Sequence, residues 1–304
     1  MFGKSPIGAF LRFNGWLWDR IPPSATDSQL LRSYGLWVNT LVRRESSREM
    51  SLGTFFLRNR PELRLIARLA GARNGQALNV AVLGASNGAE VYSIVWAIRA
   101  FEPLARPAVH AVDISPEALE SARAGTYSLT GSEVVGEPIF ERLSELEMMD
   151  LFDRQHDRFR VKDWISQGIS WHLADACDPL LRDLLGPQDI VVANRFLCHM
   201  APANAEKCLR SIARLVAPGG YLFVSGVDLD VRTRVANELG WKPVRELMQE
   251  MHEGDPSLRS AWPCKYWGLE PFDRNRLDWQ MRYASAFQLG SQMEASAAVN
   301  GAVR

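Results

Sequence analysis

The stretch LNVAVLGASNGAEVYSI, residues 78–94, constrains the fold more than any other part of the chain. It opens with strand character, breaks at Gly84 and Gly88, and resumes as an apolar helix with Glu90 in its first turn. A strand that feeds a helix through a glycine turn needs further strands beside it, reached by crossover connections. The remaining sequence supplies them. AVHAVDIS precedes the helical PEALESARAGTY, and ISWHLADAC and DIVVANRFLC precede NAEKCLRSIARLV; the turn APGG then leads into YLFVSG. Strands that alternate with helices form an α/β fold, a mostly parallel sheet covered by helices on both faces.

Three regions are expected along the 304 residues. Residues 1–72 read as a helical N-terminal segment, with Leu30 to Val42 at helical spacing and a second helix after Pro61. Residues 73–230 form the sheet and helices, interrupted around 128–168 by an insertion or lid rich in Glu, Met and Asp. Residues 231–304 read as an extension that folds over the sheet and helps to form a substrate pocket. Equal numbers of basic and acidic side chains, 35 of each, leave no electrostatic footprint for nucleic acid. Cys177, Cys198, Cys208 and Cys264 form no C-x-x-C pair, so neither a metal centre nor a disulfide framework is expected. The aromatic N-terminus is broken by Lys4, Arg12, Asn14 and Asp19, and no stretch approaches a membrane span. These features lead to the expectation of a cytoplasmic protein without an integral membrane segment, and they leave the oligomeric state open.

Ligands of such sheets sit outside the carboxyl ends of the strands, where strand order reverses. The Gly84–Gly88 turn lets backbone approach a ligand there. Asp113, closing AVHAVD, suits a ribose diol, and Asp175 in HLADAC suits an exocyclic amine or, alternatively, a helix cap. Asn194 and Arg195, closing DIVVANR, border the reaction chamber. A dinucleotide needs G-x-G-x-x-G and an anion-friendly helix start, whereas this turn has G-x-x-x-G and places Glu90 close behind. A carboxylate there repels a pyrophosphate and suits a cationic amine. S-adenosylmethionine offers a ribose, an adenine, an α-amino group and a sulfonium, and it carries no phosphate. Glu90, Asp113 and Asp175 match those groups in sign.

These residues also resemble a known family. GASNGAEVYSI is similar to the A-S-T-G-E-E-P-Y-S-I motif of CheR-type methyltransferases, the chemotaxis receptor glutamate methylases. VDISPEALESARAGTY is similar to that family's T-D-I-D-x-x-x-L-x-x-A-R-x-G-x-Y, and GTFFLRNRPELRLI to its T-x-F-F-R-x-x-x-x-F. The resemblance spans roughly residues 50–226. It implies a class I, Rossmann-like methyltransferase fold and donor contacts from Arg58, Gly84, Ala85, Glu90, Asp113 and Asp175. Where the family has C-R-N-V-L-I-Y-F, this chain has ANRFLCHM, with His199 in place of the tyrosine and the Arg-Asn order inverted. After Gly226 the family carries a small β-subdomain that docks on receptor tails; this chain shows none there, and the sequence reads as mostly helical.

Trp262, Tyr266, Trp267 and Arg282 lie in a C-terminal stretch dense in aromatic and charged residues. That composition suits either a folded extension or a substrate wall: aromatic faces tolerate a cation, and Arg282 or Arg195 can hold a carboxylate. His199 is the candidate general base, since it titrates near neutrality. Three functions follow from this reading. The first is a methyltransferase acting on sulfur or nitrogen of a small metabolite such as an amino acid, methionine for example. The second is protein-glutamate methylation, and the third a non-catalytic S-adenosylmethionine-binding regulator.

Overall fold

The computed structural model describes residues 6–22, 25, 28–45, 53–128, 139–254, 262–266 and 268–290. Among the described residues the main sheet has seven strands. They are β1 (Ala77–Leu83), β2 (Arg106–Asp113), β6 (Ile169–Leu173), β7 (Gln188–Asn194), β8 (Val216–Ser225), β9 (Lys242–Pro243) and β10 (Ala286–Gln288). Their order is β6-β2-β1-β7-β8-β10-β9, and β10 runs antiparallel to both its neighbours. The central strands are buried on both faces. Val80, Val82 and Val192 point into one apolar cluster, and Ala81, Leu83, Val191 and Val224 into another. This is why the strands read as continuous apolar runs. Each such side chain stabilises the fold by about 1.5–3 kcal/mol, Ala less.

The boundary expected at residue 230 does not set an extension apart from the sheet. β10 pairs with β8 through Ala286↔Phe223 and Phe287↔Leu222, and Phe287 is fully buried. Three residues of strand carried too short an apolar pattern to be seen in the sequence.

The helices that matter here are α1 (Pro6–Trp18), α2 (Gln29–Glu45), α3 (Arg60–Gly71), α4 (Ala89–Phe101) and α5 (Pro116–Ala124). The helix expected after Pro61 is α3; Pro61 lies in its first turn and Asn59 caps it. Ser115 caps α5, followed by Pro116 at its first turn. Gly88 caps α4 at φ 89°, a conformation that favours glycine, and a Cβ there would meet Tyr92, Ala122 and Trp171 at 3.0–3.2 Å. The second glycine of the turn is thus explained by helix packing as well as by backbone shape.

The insertion is built around a second sheet, of three antiparallel strands: β3 (Thr126–Ser128), β4 (Phe152–Gln155) and β5 (Arg158–Val161), in the order β3-β5-β4. It is tied to the body. Phe56 meets Tyr127 and Phe152 edge-on at ring separations of 5.1 and 4.9 Å, and Trp96 Nε1 donates to Asp150 at 2.6 Å. The small sheet that the resemblance placed after Gly226 is absent there among the described residues; a small sheet occurs here instead. Its strands of three and four residues were hidden among polar side chains.

α1 and α2 pair through Leu11, Val38 and Val42. The C-terminal segment clasps them to the body. Trp262, 7% exposed, meets Trp18 edge-on at 5.7 Å, and Tyr266 packs on the Leu11 cluster. Arg43 on α2 reaches Asp230 at 2.7 Å and Asp228 at 3.3 Å. No described helix is long and apolar enough to cross a membrane.

Candidate functional site

The chain runs from β1 outward to β2 and β6, then returns to β7 and β8 on the other side of β1. Strand order therefore reverses between β1 and β7, where Leu83 lies opposite Ala193. A cavity of about 220 Å³ opens at that point, at the carboxyl ends of the strands. Gly84, Ser86 and Glu90 reach it from the first turn and α4, and Asp113 and Ile114 from the end of β2. Ala174–Ala176 follow β6; Asn194 ends β7, and Arg195, Phe196, His199 and Met200 follow it; Gly53, Thr54 and Arg58 come from the segment before α3.

Asp113 is 6% exposed, and each of its oxygens is anchored: Oδ2 accepts from Ser86 N–H at 2.7 Å and Oδ1 from Ser115 N–H at 2.9 Å. A carboxylate has about four acceptor positions, so capacity remains for a diol. Asp175 is exposed and accepts from Cys177 N–H at 2.8 Å. This is a local turn rather than a helix cap, because the next helix starts at Leu181. Ala85 does not line the cavity. It is 1% exposed, and its N–H, like that of Gly84, donates to Val112 O.

Asn194 joins two acids that the sequence did not bring together. Its Nδ2 donates to Glu90 Oε1 at 2.9 Å and to Glu62 Oε1 at 2.7 Å, and its Oδ1 accepts from Ser225 Oγ at 2.7 Å. Glu62 is 3% exposed on α3. Burial, and then the neighbouring Glu90, push its carboxyl up to about 8. The signal for it was available: Glu62 occupies the same face of α3 as Leu65, Ile66 and Ala70, where an acid is out of place.

Arg58 lies over the Phe55 ring at 4.6 Å and donates through Nη2 to Gly53 O; its Nε is buried without a hydrogen-bond partner among the described residues. Arg195 sits at φ 64°, its N–H held by Ser225 O. Such a backbone costs about 1–3 kcal/mol in a non-glycine residue and recurs at functional sites.

The described members of the expected substrate wall do not line this cavity. Trp262 and Tyr266 are used in the clasp with α1 and α2. Arg282, 8% exposed, is held by Glu270 at 2.6 Å and by Asp230 at 2.8 Å, and Tyr283 donates to the same Glu270. A guanidinium buried against two carboxylates is a structural cross-link. Trp267 lies outside the described residues.

Residues 53–232 match the model of the CheR methyltransferase SAM-binding domain. The chain belongs to this family. The chain is 28% identical over 163 residues to a chemotaxis protein methyltransferase of Vibrio parahaemolyticus, covering 52% of this chain and 56% of that one. It is 27% identical over 172 residues to chemotaxis protein methyltransferase 1 of Pseudomonas aeruginosa, covering 54% and 60%. It thus spans less than two thirds of either relative. Among solved structures, the magnesium protoporphyrin IX methyltransferase of Synechocystis with bound S-adenosylmethionine aligns at 14% identity and a TM-score of 0.38, covering 71% of this chain and 86% of that one. The cavity of the CheR domain fits the donor that its family name implies. Its lining carries the carboxylates of Glu90, Asp113 and Asp175, which can accept hydrogen bonds from the amine and hydroxyl groups of such a donor.

Proposed function

We propose that this chain is an S-adenosylmethionine-dependent methyltransferase whose acceptor is a carboxylate oxygen of a protein side chain. The observation that carries the reading is that Arg58 and Arg195 line the same cavity as Glu90. Two guanidinium groups beside the donor pocket suit an anionic acceptor. The sequence favoured sulfur or nitrogen of a small metabolite because an aromatic wall was expected to shelter a cationic product; the expected members of that wall that the structure describes serve elsewhere.

Glu90 would hold the donor's α-amino group, Asp113 its ribose, and Asp175 and Asn194 the pocket's two flanks. When bound, the donor supplies a methyl group on a positively charged sulfur. Arg58 and Arg195 orient the acceptor carboxylate toward that methyl. A carboxylate is already a nucleophile at neutral pH, so His199 has no proton to remove and borders the chamber instead. Rate acceleration then comes mainly from alignment. The ester formed is neutral, which weakens its hold on the two arginines and favours release.

A protein acceptor is supported by the relatives, which are named as chemotaxis protein methyltransferases. It is also supported by β4, which pairs on one side only among the described residues and offers an edge to an extended peptide. The test is incubation with methyl-labelled donor and a lysate, separated into protein and low-mass pools and treated with mild base. Base-labile label in protein is expected. Base-stable label rules out a carboxyl ester, and label in the low-mass pool alone rules out a protein acceptor.

A further inference from the structure

Glu62 has no place in the reaction as described and does not line the cavity, yet it is one hydrogen bond behind Asn194, which does. Its carboxyl shares the Asn194 amide with Glu90, the only other carboxylate hydrogen-bonded to that amide among the described residues. Ser225 Oγ donates to Asn194 Oδ1, and this fixes the amide so that Nδ2 faces both acids. An amide donates but carries no charge, so it holds two carboxyls close without neutralising either. The groups facing Glu62 are Glu90 from α4, Asn194 and Arg195 from the end of β7, and Arg58 from the segment before α3.

We propose that Glu62 is a positioning residue that couples occupancy of the donor's amino-group site to proton release: it stays protonated while Glu90 lacks a cationic partner, and gives up its proton when an ammonium group sits at Glu90. The inference rests on the assignment of Glu90 to the donor's α-amino group. The chemistry is a simple exchange of charge. Two carboxylates sharing one amide, one of them buried, repel each other, and the buried one keeps a proton. Glu62 is the enclosed one, while Glu90 lines the cavity. A cation arriving at Glu90 offsets the repulsion, so the Glu62 proton leaves to solvent. Its raised titration, about 8, places the exchange in the neutral range.

The test is calorimetric titration with S-adenosylhomocysteine between pH 7 and 8, in buffers of different ionisation enthalpy. Wild type is expected to release a fraction of a proton per ligand, with affinity rising by up to about tenfold per pH unit. Glu62→Gln keeps the shape and the Asn194 contact; it is expected to bind with no such release and with affinity flat in pH. 5′-Methylthioadenosine, which lacks the amino-acid arm, is expected to release none from wild type. Equal release from wild type and Glu62→Gln overturns the inference, as does equal release with both ligands. Should the variant fail to fold, the comparison of the two ligands on wild type decides alone. Failure of the underlying assignment looks different: Glu90→Gln then leaves affinity for S-adenosylhomocysteine unchanged.

Discussion

Replacing Glu62 by glutamine also tests the site without any ligand, through stability. The carboxyl is 3% exposed and titrates near 8 in the folded chain, against 4.5 for an exposed glutamate. A group whose folded value is raised contributes stability that is fully present below the unfolded value and is lost as pH rises through the folded one. Below pH 4.5 wild type folds with a protonated Glu62 and pays nothing for it. Between 4.5 and 8 the unfolded chain releases the proton and the folded chain keeps it. Each pH unit in that window costs wild type about 1.4 kcal/mol relative to a neutral amide, or about 3–5 kcal/mol across the window. Glu62→Gln is neutral throughout and escapes this loss. Urea unfolding of both proteins at pH 5, 6, 7 and 8 measures it. The stability difference between variant and wild type is expected to grow in the variant's favour up to pH 8 and then level off. A difference that is constant with pH, or that shrinks as pH rises, would show that Glu62 ionises freely and is not enclosed as described.

Other expectations concern separate parts of the molecule. Asp113→Ala and Glu90→Ala each remove an acceptor worth about 1.5–3 kcal/mol toward a charged or strongly donating group, so affinity for S-adenosylhomocysteine should fall at least about tenfold by calorimetry; unchanged affinity in both would mean that the donor lies elsewhere. Arg282→Met leaves the largely buried Glu270 without its guanidinium, whereas the exposed Asp230 keeps Arg43, and should cost about 3–5 kcal/mol by denaturation, while ligand affinity of the folded protein stays the same; a selective loss of binding would restore Arg282 to the site. Gly35→Ala would place a Cβ 2.5 Å from the Trp262 ring, so the clasp between α2 and the C-terminal segment should loosen by about 1–3 kcal/mol, read as a lower melting temperature.

The strands β1, β2, β7 and β8 were legible because a buried parallel strand leaves a continuous apolar run bounded by turn residues. Gly84, Glu90, Asp113 and Asn194 were legible because they fall where those runs end, and strand ends are where a switch-point cavity collects its lining. β3, β4, β5 and β10 were not, since strands of three or four residues owe their pairing to partners distant in sequence. Glu62 was marked locally only as an acid on the apolar face of α3; what it does there lies in a contact to Asn194, 132 positions away, which no local pattern encodes. Trp262, Tyr266 and Arg282 show the opposite error. Aromatic and charged side chains crowded into one stretch suggest a binding wall, but the same composition serves a clasp between helices, and only the fold distinguishes the two.

The most direct measurement is a crystal structure of the chain with S-adenosylhomocysteine. The ligand is expected in the cavity between β1 and β7, with its amino group at Glu90, its ribose at Asp113 and its sulfur facing the space bordered by Arg58 and Arg195. A ligand bound outside this cavity, or turned so that adenine meets Glu90, would contradict both the donor site and the acceptor chemistry built on it.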